Sequence, residues 1–476
     1  MTTAPSQPAA DPTVGNWQWE PQPEAQKLID SLLTTFLARC PDAQRLADRM
    51  RDETGTRFKD WVGVILTPNN DEIRGQLEAA GFTPKTTEFA DEDIGYAFEQ
   101  RKGLFCDVLL TESDRMSVGV KVERVSDFFA AQQIPGIEHA QGEPLSRARW
   151  APAMMGDRAA LWVMARRGYD GFGLTEDLPE DRIAAAHHAE RLRSRPRDFG
   201  VGAEADTRGF DDLSNMVDAA VEELGRDWAC DIFFRTEREY WQRRNRAAQV
   251  QYARQQKLGL GWANHDHHTY RCSRQNFPRV IEILEKLGLH CRERFYAGAE
   301  ANWGAQVLEQ PVTKIVVFAD VDMSAEEIHG DFAHEGFEVS DAESVGTVGL
   351  WTALHGESML QAGMHHLECQ FDHASLVNQL ERESGIKTMA PFTTFPYLRQ
   401  AFTEGELWIP VEQRLGLCVD KGWITREQAD SFRKDGALGS HLENLERNDG
   451  FKGFNQTGVS DIIARTDARK HAGANT

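Results

Sequence analysis

The sequence predicts an α+β protein assembled from β-α-β-β-β modules, and three stretches of the chain carry that prediction. In the first, Trp61-Val62-Gly63-Val64-Ile65-Leu66 is a short β-rich run, and Asp71 to Ala80 follows as a short helix ended by Gly81. Strand-like runs come next at Thr86–Phe89, Tyr96–Gln100, Phe105–Leu110 and Ser117–Glu123. In the second, His265–Cys272 is strand-like. Phe277–Leu287 is an amphipathic helix with Val280, Ile281, Ile283 and Leu284 on its apolar side, closed by Gly288. Arg292–Tyr296, Ala305–Leu308 and Ile315–Val321 then read as strands. In the third, His365–Phe371 is a strand, Ala374–Glu383 a helix and Leu407–Leu415 a later strand. Echoes of one unit along a chain imply a fold made by duplication and curling of that unit.

The remaining segments are placed around these modules. Residues 22–54 read as helix, with Leu28, Leu32, Leu33 and Phe36 near helical spacing. Residues 175–257 are charged and helix-rich, broken at Pro196 and at Gly200-Val201-Gly202. The organisation expected is a disordered leader over residues 1–20 and an N-terminal α+β domain over 21–150. A helix-rich linker or cover follows over 151–260, and a catalytic domain over 261–476. No His falls between residues 55 and 130, so the N-terminal module is expected to be degenerate and metal-free.

Composition excludes several classes of function. Asp and Glu outnumber Lys and Arg by 75 to 53, a net charge of -22, which repels polyanions and argues against a nucleic-acid partner. An anionic substrate then needs a local basic anchor. No window approaches 18 consecutive apolar residues, so no membrane helix is expected, and the first 17 residues lack the pattern of a secretory signal. The seven cysteines form no CxxC pair, which points to a reducing, cytoplasmic setting. Gly200-Val201-Gly202 lacks a preceding strand and is a poor dinucleotide site. The Arg235–Arg254 stretch is interleaved with Glu237 and Glu239 and reads as a solvated helix face. His187-His188 reads as surface, and Trp262 and Trp303 as core or pocket residues.

Chemistry concentrates in three short sequences: Asn264 to Arg271, Gly363 to Glu368 and Ile409 to Arg414. Two imidazoles and a carboxylate from separate strands make a facial triad, the set with which iron(II) oxygenases keep adjacent positions open for substrate and oxygen. Strand alternation puts His265, His267, Thr269 and Arg271 on one face, with Asp266, His268 and Tyr270 on the other. It likewise groups Met364, His366 and Glu368, and Trp408, Pro410, Glu412 and Arg414. Alternation alone leaves His265 and His267 in competition.

Taken in order, these motifs resemble the 2-oxoadipate dioxygenase/decarboxylase family of the vicinal-oxygen-chelate superfamily. Asp266-His267-His268-Thr269-Tyr270-Arg271 is similar to the family's His-x-x-x-Arg strand, His365-His366-Leu367 to its Asn-His-Leu strand, and Val411-Glu412-Gln413-Arg414 to its Ile-Glu-Gln-Arg segment. Lys314 to Met323 is similar to the strand after the first unit, and Gly453 to Arg465 falls where the family's substrate-contacting segment lies. The likeness covers residues 260–466, and His365 stands where Asn is common.

The resemblance implies vicinal-oxygen-chelate-like modules curled into a metal-holding half-barrel. Iron(II), or Mn, Ni, Co or Zn in its place, would be held by His267, His366 and Glu412. Arg271 would serve as catalytic and carboxylate-binding residue, and Thr457, Gly458, Val459 and Ser460 would contact substrate. The implied partners are a small anionic 2-oxo or 2-hydroxy acid and molecular oxygen, with decarboxylation followed by hydroxylation. A non-redox isomerase or lyase on the same triad, or a binding protein stapled by its metal, are the alternative readings.

Overall fold

The computed structural model describes residues 19–86, 94–298, 302–338, 345–454 and 466–472. It is an α+β fold of two curled, open sheets. The first is ordered β2-β3-β4-β1-β5-β7-β6. Its strands are β1 (Val62–Pro68), β2 (Thr83–Lys85), β3 (Ile94–Glu99), β4 (Asp107–Thr111), β5 (Met116–Lys121), β6 (Ala148–Gly156) and β7 (Ala159–Arg166). β1 lies parallel to β4 and antiparallel to β5, and β5 lies parallel to β7. Helices Asp71–Ala79 and Val125–Gln132 make the crossovers that parallel pairs require. A β-α-β-β-β module thus abuts a second unit that is one strand short.

The second sheet contains β8 (His265–Cys272), β9 (His290–Tyr296), β10 (Trp303–Glu309), β11 (Val316–Asp322), β12 (His366–Gln370), β13 (Thr393–Phe395), β14 (Leu398–Phe402), β15 (Glu406–Trp408) and β16 (Ala437–Arg447). Its order is β13-β14-β16-β12-β8-β11-β10-β9, with β15 paired to β16. Two complete modules meet at the antiparallel pair β8–β12. Helix Phe277–Lys286 buries Val280, Ile281, Ile283 and Leu284 and ends at Gly288, whose φ of +84° favours glycine. Helix His373–Ser384 plays the same part in the second module. The Asp372 side chain accepts from Ser375 N at its start, and Gly385 ends it at φ +66°.

Helices Ala203–Leu224 and Arg226–Arg243 cover the outer face of the second sheet. Trp228, Phe233, Phe234 and Trp241 share one buried core with Tyr270, Leu367 and Leu442 from β8, β12 and β16. With these residues sealed outward, the next residues of the same strands face inward.

Four local expectations are corrected. Residues 22–54 form two helices, Pro23–Arg39 and Pro41–Thr54, because Pro41 has no N–H to continue the first. The first sheet runs past residue 150 through β6 and β7, which lie inside the stretch expected to be linker. The run Leu407–Leu415 is not a strand: β15 ends at Trp408 and helix Glu412–Asp420 begins after Pro410. A further strand, β16, lies where none was expected. The segment Met1 to Trp17 and residues 457–460 lie outside the described residues.

Candidate metal centre

The sheet register builds the site. Glu368 on β12 pairs with His267 on β8, and with Glu443 on the parallel neighbour β16. The next inward-facing set is Thr269, His366 and His441, and beyond it Arg271 pairs with Asp320 of β11. Three strands therefore present His267, Glu368 and Glu443 side by side. Their ligand-capable atoms lie within 4.8 Å of one another, and all three are buried.

His267 Nε2 stands 3.2 Å from Glu368 Oε1, which also contacts His366 Nε2. His366 Nε2 is 3.7 Å from Glu443 Oε2. Thr269 donates its hydroxyl to Glu368 Oε1 at 2.9 Å, and Gln400 donates its amide to Glu443 Oε1 at 2.8 Å. His366 Nδ1 and Glu368 Oε2 are buried and have no partner.

His267 is oriented from behind. Asp266 Oδ1 lies 2.8 Å from its Nδ1, so a neutral ring protonated there turns the Nε2 lone pair inward. Arg447 holds Asp266 through two parallel hydrogen bonds of 2.8 and 3.0 Å. That contact depends on a break in alternation. Glu368 pairs with His267 while the next residue, Cys369, pairs with His265, so Asp266 is the extra residue of a β-bulge. The bulge carries Asp266 toward Arg447 and His265 away, with the His265 ring against His268 and its Nδ1 2.8 Å from the Trp262 carbonyl. Burial, then Arg238, pushes the His265 pKa down to about 3. The structure thus separates the two histidines that alternation had put on one face.

Electrostatics set the two carboxylates apart. Burial opposes ionisation of Glu368, but His267 and His366 outweigh it and hold its carboxyl well below the usual range. Burial, reinforced by the adjacent Glu368, pushes Glu443 well above that range. Two carboxylates this close share a proton unless a cation compensates them. His366 is pushed down by burial despite Glu368, so it presents a neutral ring.

Glu412 is not brought to this cluster. It starts helix Glu412–Asp420, its side chain is 68% exposed, and Arg433 donates to both of its oxygens at 2.8 and 2.7 Å. Arg271 is buried, with Nε and Nη1 unpartnered, and its guanidinium carbon lies 6.0 Å from the Trp351 ring centre. Burial lowers its pKa to about 10 and raises that of Asp320 to about 8. Asp320, not Arg271, reaches the cavity wall. Thr457, Gly458, Val459 and Ser460 lie outside the described residues.

Beside the cluster is a small cavity of about 60 Å³. His267, His366, Glu368 and Glu443 form one side of it; Thr269, Asp320 and Gln400 add polar groups; and Phe295, Trp303, Phe318, Phe392, Phe402 and Phe454 supply the rest. The Phe318 and Phe454 ring centres each lie 4.9 Å from that of His267, and Phe402 lies 5.0 Å from His366.

Comparison with known proteins finds no matching family model and no matching curated protein. Solved structures do match. Hydroxyglutarate synthase from Oryza sativa, in complex with 2-oxoadipate, is 13% identical with a TM-score of 0.32, covering 58% of this chain and 96% of that one. A mutant of 4-hydroxymandelate synthase from Streptomyces coelicolor is 11% identical with a TM-score of 0.24, covering 87% and 98%. Methylmalonyl-CoA epimerase from Mycobacterium tuberculosis is 12% identical with a TM-score of 0.23, covering 39% and 89%.

Sequence reasoning did not name Glu443, and it gave Glu368 no part in the cluster. Glu368 had been placed on the face of His366 without a role. The signal for Glu443 was architectural: a module that opens with β12 requires a last strand beside it, as β11 stands beside β8.

Proposed function

We propose that the chain is a metal-dependent enzyme whose divalent ion is held by His267, His366, Glu368 and Glu443, and that it is an iron(II) dioxygenase acting on a small 2-oxo or 2-hydroxy acid. The observation that carries this reading is the convergence of two imidazoles and two carboxylates on one side of a cavity. The donor set fits such an ion: imidazole and carboxylate together suit iron(II), manganese, nickel, cobalt or zinc, and a double-positive charge lets Glu368 and Glu443 ionise side by side. Held by these four side chains, the ion would still be open to the oxygens of a chelating acid from the cavity side. When bound, the ion supplies Lewis-acid chemistry and, as iron(II), redox chemistry toward dioxygen.

The chain's own residues do the rest. Asp266 and Arg447 fix the tautomer and direction of His267, and Thr269 and Gln400 hold the two carboxylates by their oxygens. Phe318, Phe454 and Phe402 pack against the imidazoles and exclude water from the side where substrate enters. The test is metal analysis of protein purified without chelators, followed by an oxygen electrode with a panel of 2-oxo acids. Oxygen uptake that depends on iron supports the reading. Turnover at the same rate without oxygen would replace it with a non-redox one.

A further inference from the structure

We infer that the substrate is a 2-oxo or 2-hydroxy acid with an apolar, ring-bearing side chain, and not the short dicarboxylate that the sequence resemblance implies. The inference rests on the metal reading above and adds the chemistry of the rest of the cavity. Away from the donor cluster, the lining falls into two aromatic walls. On one, Phe318 and Phe454 meet edge to face at 4.4 Å, and Phe295 continues it, 6.1 Å from Phe318 and 5.4 Å from Trp303. On the other, Phe392 and Phe402 lie 5.0 Å apart. A planar group entering from the metal side meets ring faces and edges at the separations aromatic pairs prefer.

Charge decides against a second carboxylate. Among the described residues no Lys or Arg lines the cavity. Among the described lining residues the one ionisable group beyond the metal donors is Asp320, an acid that burial holds protonated at neutral pH. A distal carboxylate there would be desolvated against phenylalanines and a buried acid, with no cation among the described lining residues to pair it.

The experiment uses the full chain loaded anaerobically with cobalt(II), whose visible spectrum reports the donor set, and titrates it with phenylpyruvate, 2-oxoadipate and 2-oxobutyrate by calorimetry. Phenylpyruvate is expected to bind at least about tenfold more tightly than either aliphatic acid. Phe392→Leu, which keeps an apolar side chain on the wall one ring behind Phe402, is expected to erode that preference without altering the cobalt spectrum of the ligand-free protein. Equal or tighter binding of 2-oxoadipate overturns the inference. So does a cobalt-loaded protein that binds none of the three, since the aromatic walls would then be ordinary core. Failure to bind cobalt at all overturns the metal reading itself, and the spectrum separates that result from the others.

Discussion

Asp266 shows how much the centre owes to one residue of register. Without the bulge, its carboxylate would point to the face of His268, and the Nδ1 of His267 would lose its acceptor. Arg447 holds Asp266 and also donates to the carbonyls of Phe451 and Gly453, next to Phe454, which packs on His267. Orienting carboxylates of this kind are worth about 10–100-fold in metal affinity. Asp266→Asn should therefore bind metal weaker by a factor in that range with the fold intact, measured by competition with a chelator. His265→Ala, remote from the donors across the bulge, should leave affinity unchanged. Unchanged affinity in Asp266→Asn would show that the ring is oriented by something else.

At the scale of elements, the helical cover is pinned to the sheet by a buried charge cluster. Glu237 Oε1 accepts from Arg195 and Arg197 at 2.7 and 2.5 Å, and the Tyr270 hydroxyl reaches its other oxygen from the outer face of β8 at 3.3 Å. Arg195 also donates to the Met359 carbonyl, on the segment that leads into β12 and His366. Glu237→Gln leaves two guanidiniums buried without a counter-charge, a loss of about 3–5 kcal/mol at neutral pH that urea unfolding would register. The sign of the pH dependence follows from Glu237. Burial alone would raise its pKa, but Arg197 and Arg195 outweigh it and hold it below the usual value. A depressed pKa contributes stability that is present above the unfolded value of about 4.3 and is lost as pH falls through the folded one. The gap between wild type and Glu237→Gln should accordingly narrow as the pH is lowered below about 4. A gap that stays constant into acid would contradict the assignment.

Elements also explain what the sequence disclosed of the site. β8 and β12 each open a module just before an amphipathic helix, so the strand positions of His267 and His366 were legible from spacing and order. β16 was not. Its Ser440, Glu443, Asn444, Glu446 and Arg447 are all buried, and a strand that buries polar side chains has no apolar alternation to display. Helices Glu412–Asp420 and Arg426–Asp435 further separate β16 from β14, its partner in the module. The Val411-Glu412-Gln413-Arg414 motif lies in that insertion and drew the carboxylate assignment to an exposed helix start.

Over the whole molecule, the two sheets repeat one plan with different contents. In the second, the central pair β8–β12 carries His267, His366 and Glu368. In the first, the central pair β1–β5 carries Val64, Ile65 and Val118, and the hollow beside Val64 is filled by Trp150, Met164 and Phe172. That apolar filling in place of imidazoles is the ground for expecting about one equivalent of metal per chain, which metal analysis would count. No helix among the described residues is long and apolar enough to cross a membrane.

The measurement that bears most directly on the centre is metal content in Glu443→Gln beside wild type and Glu412→Gln, each dialysed against excess iron(II) without oxygen and then freed of loose metal. The account predicts about one equivalent in wild type and in Glu412→Gln, and a large loss in Glu443→Gln, since a deleted first-sphere donor removes much of a site's affinity. A full equivalent retained by Glu443→Gln, or metal lost from Glu412→Gln with its fold intact, would contradict it.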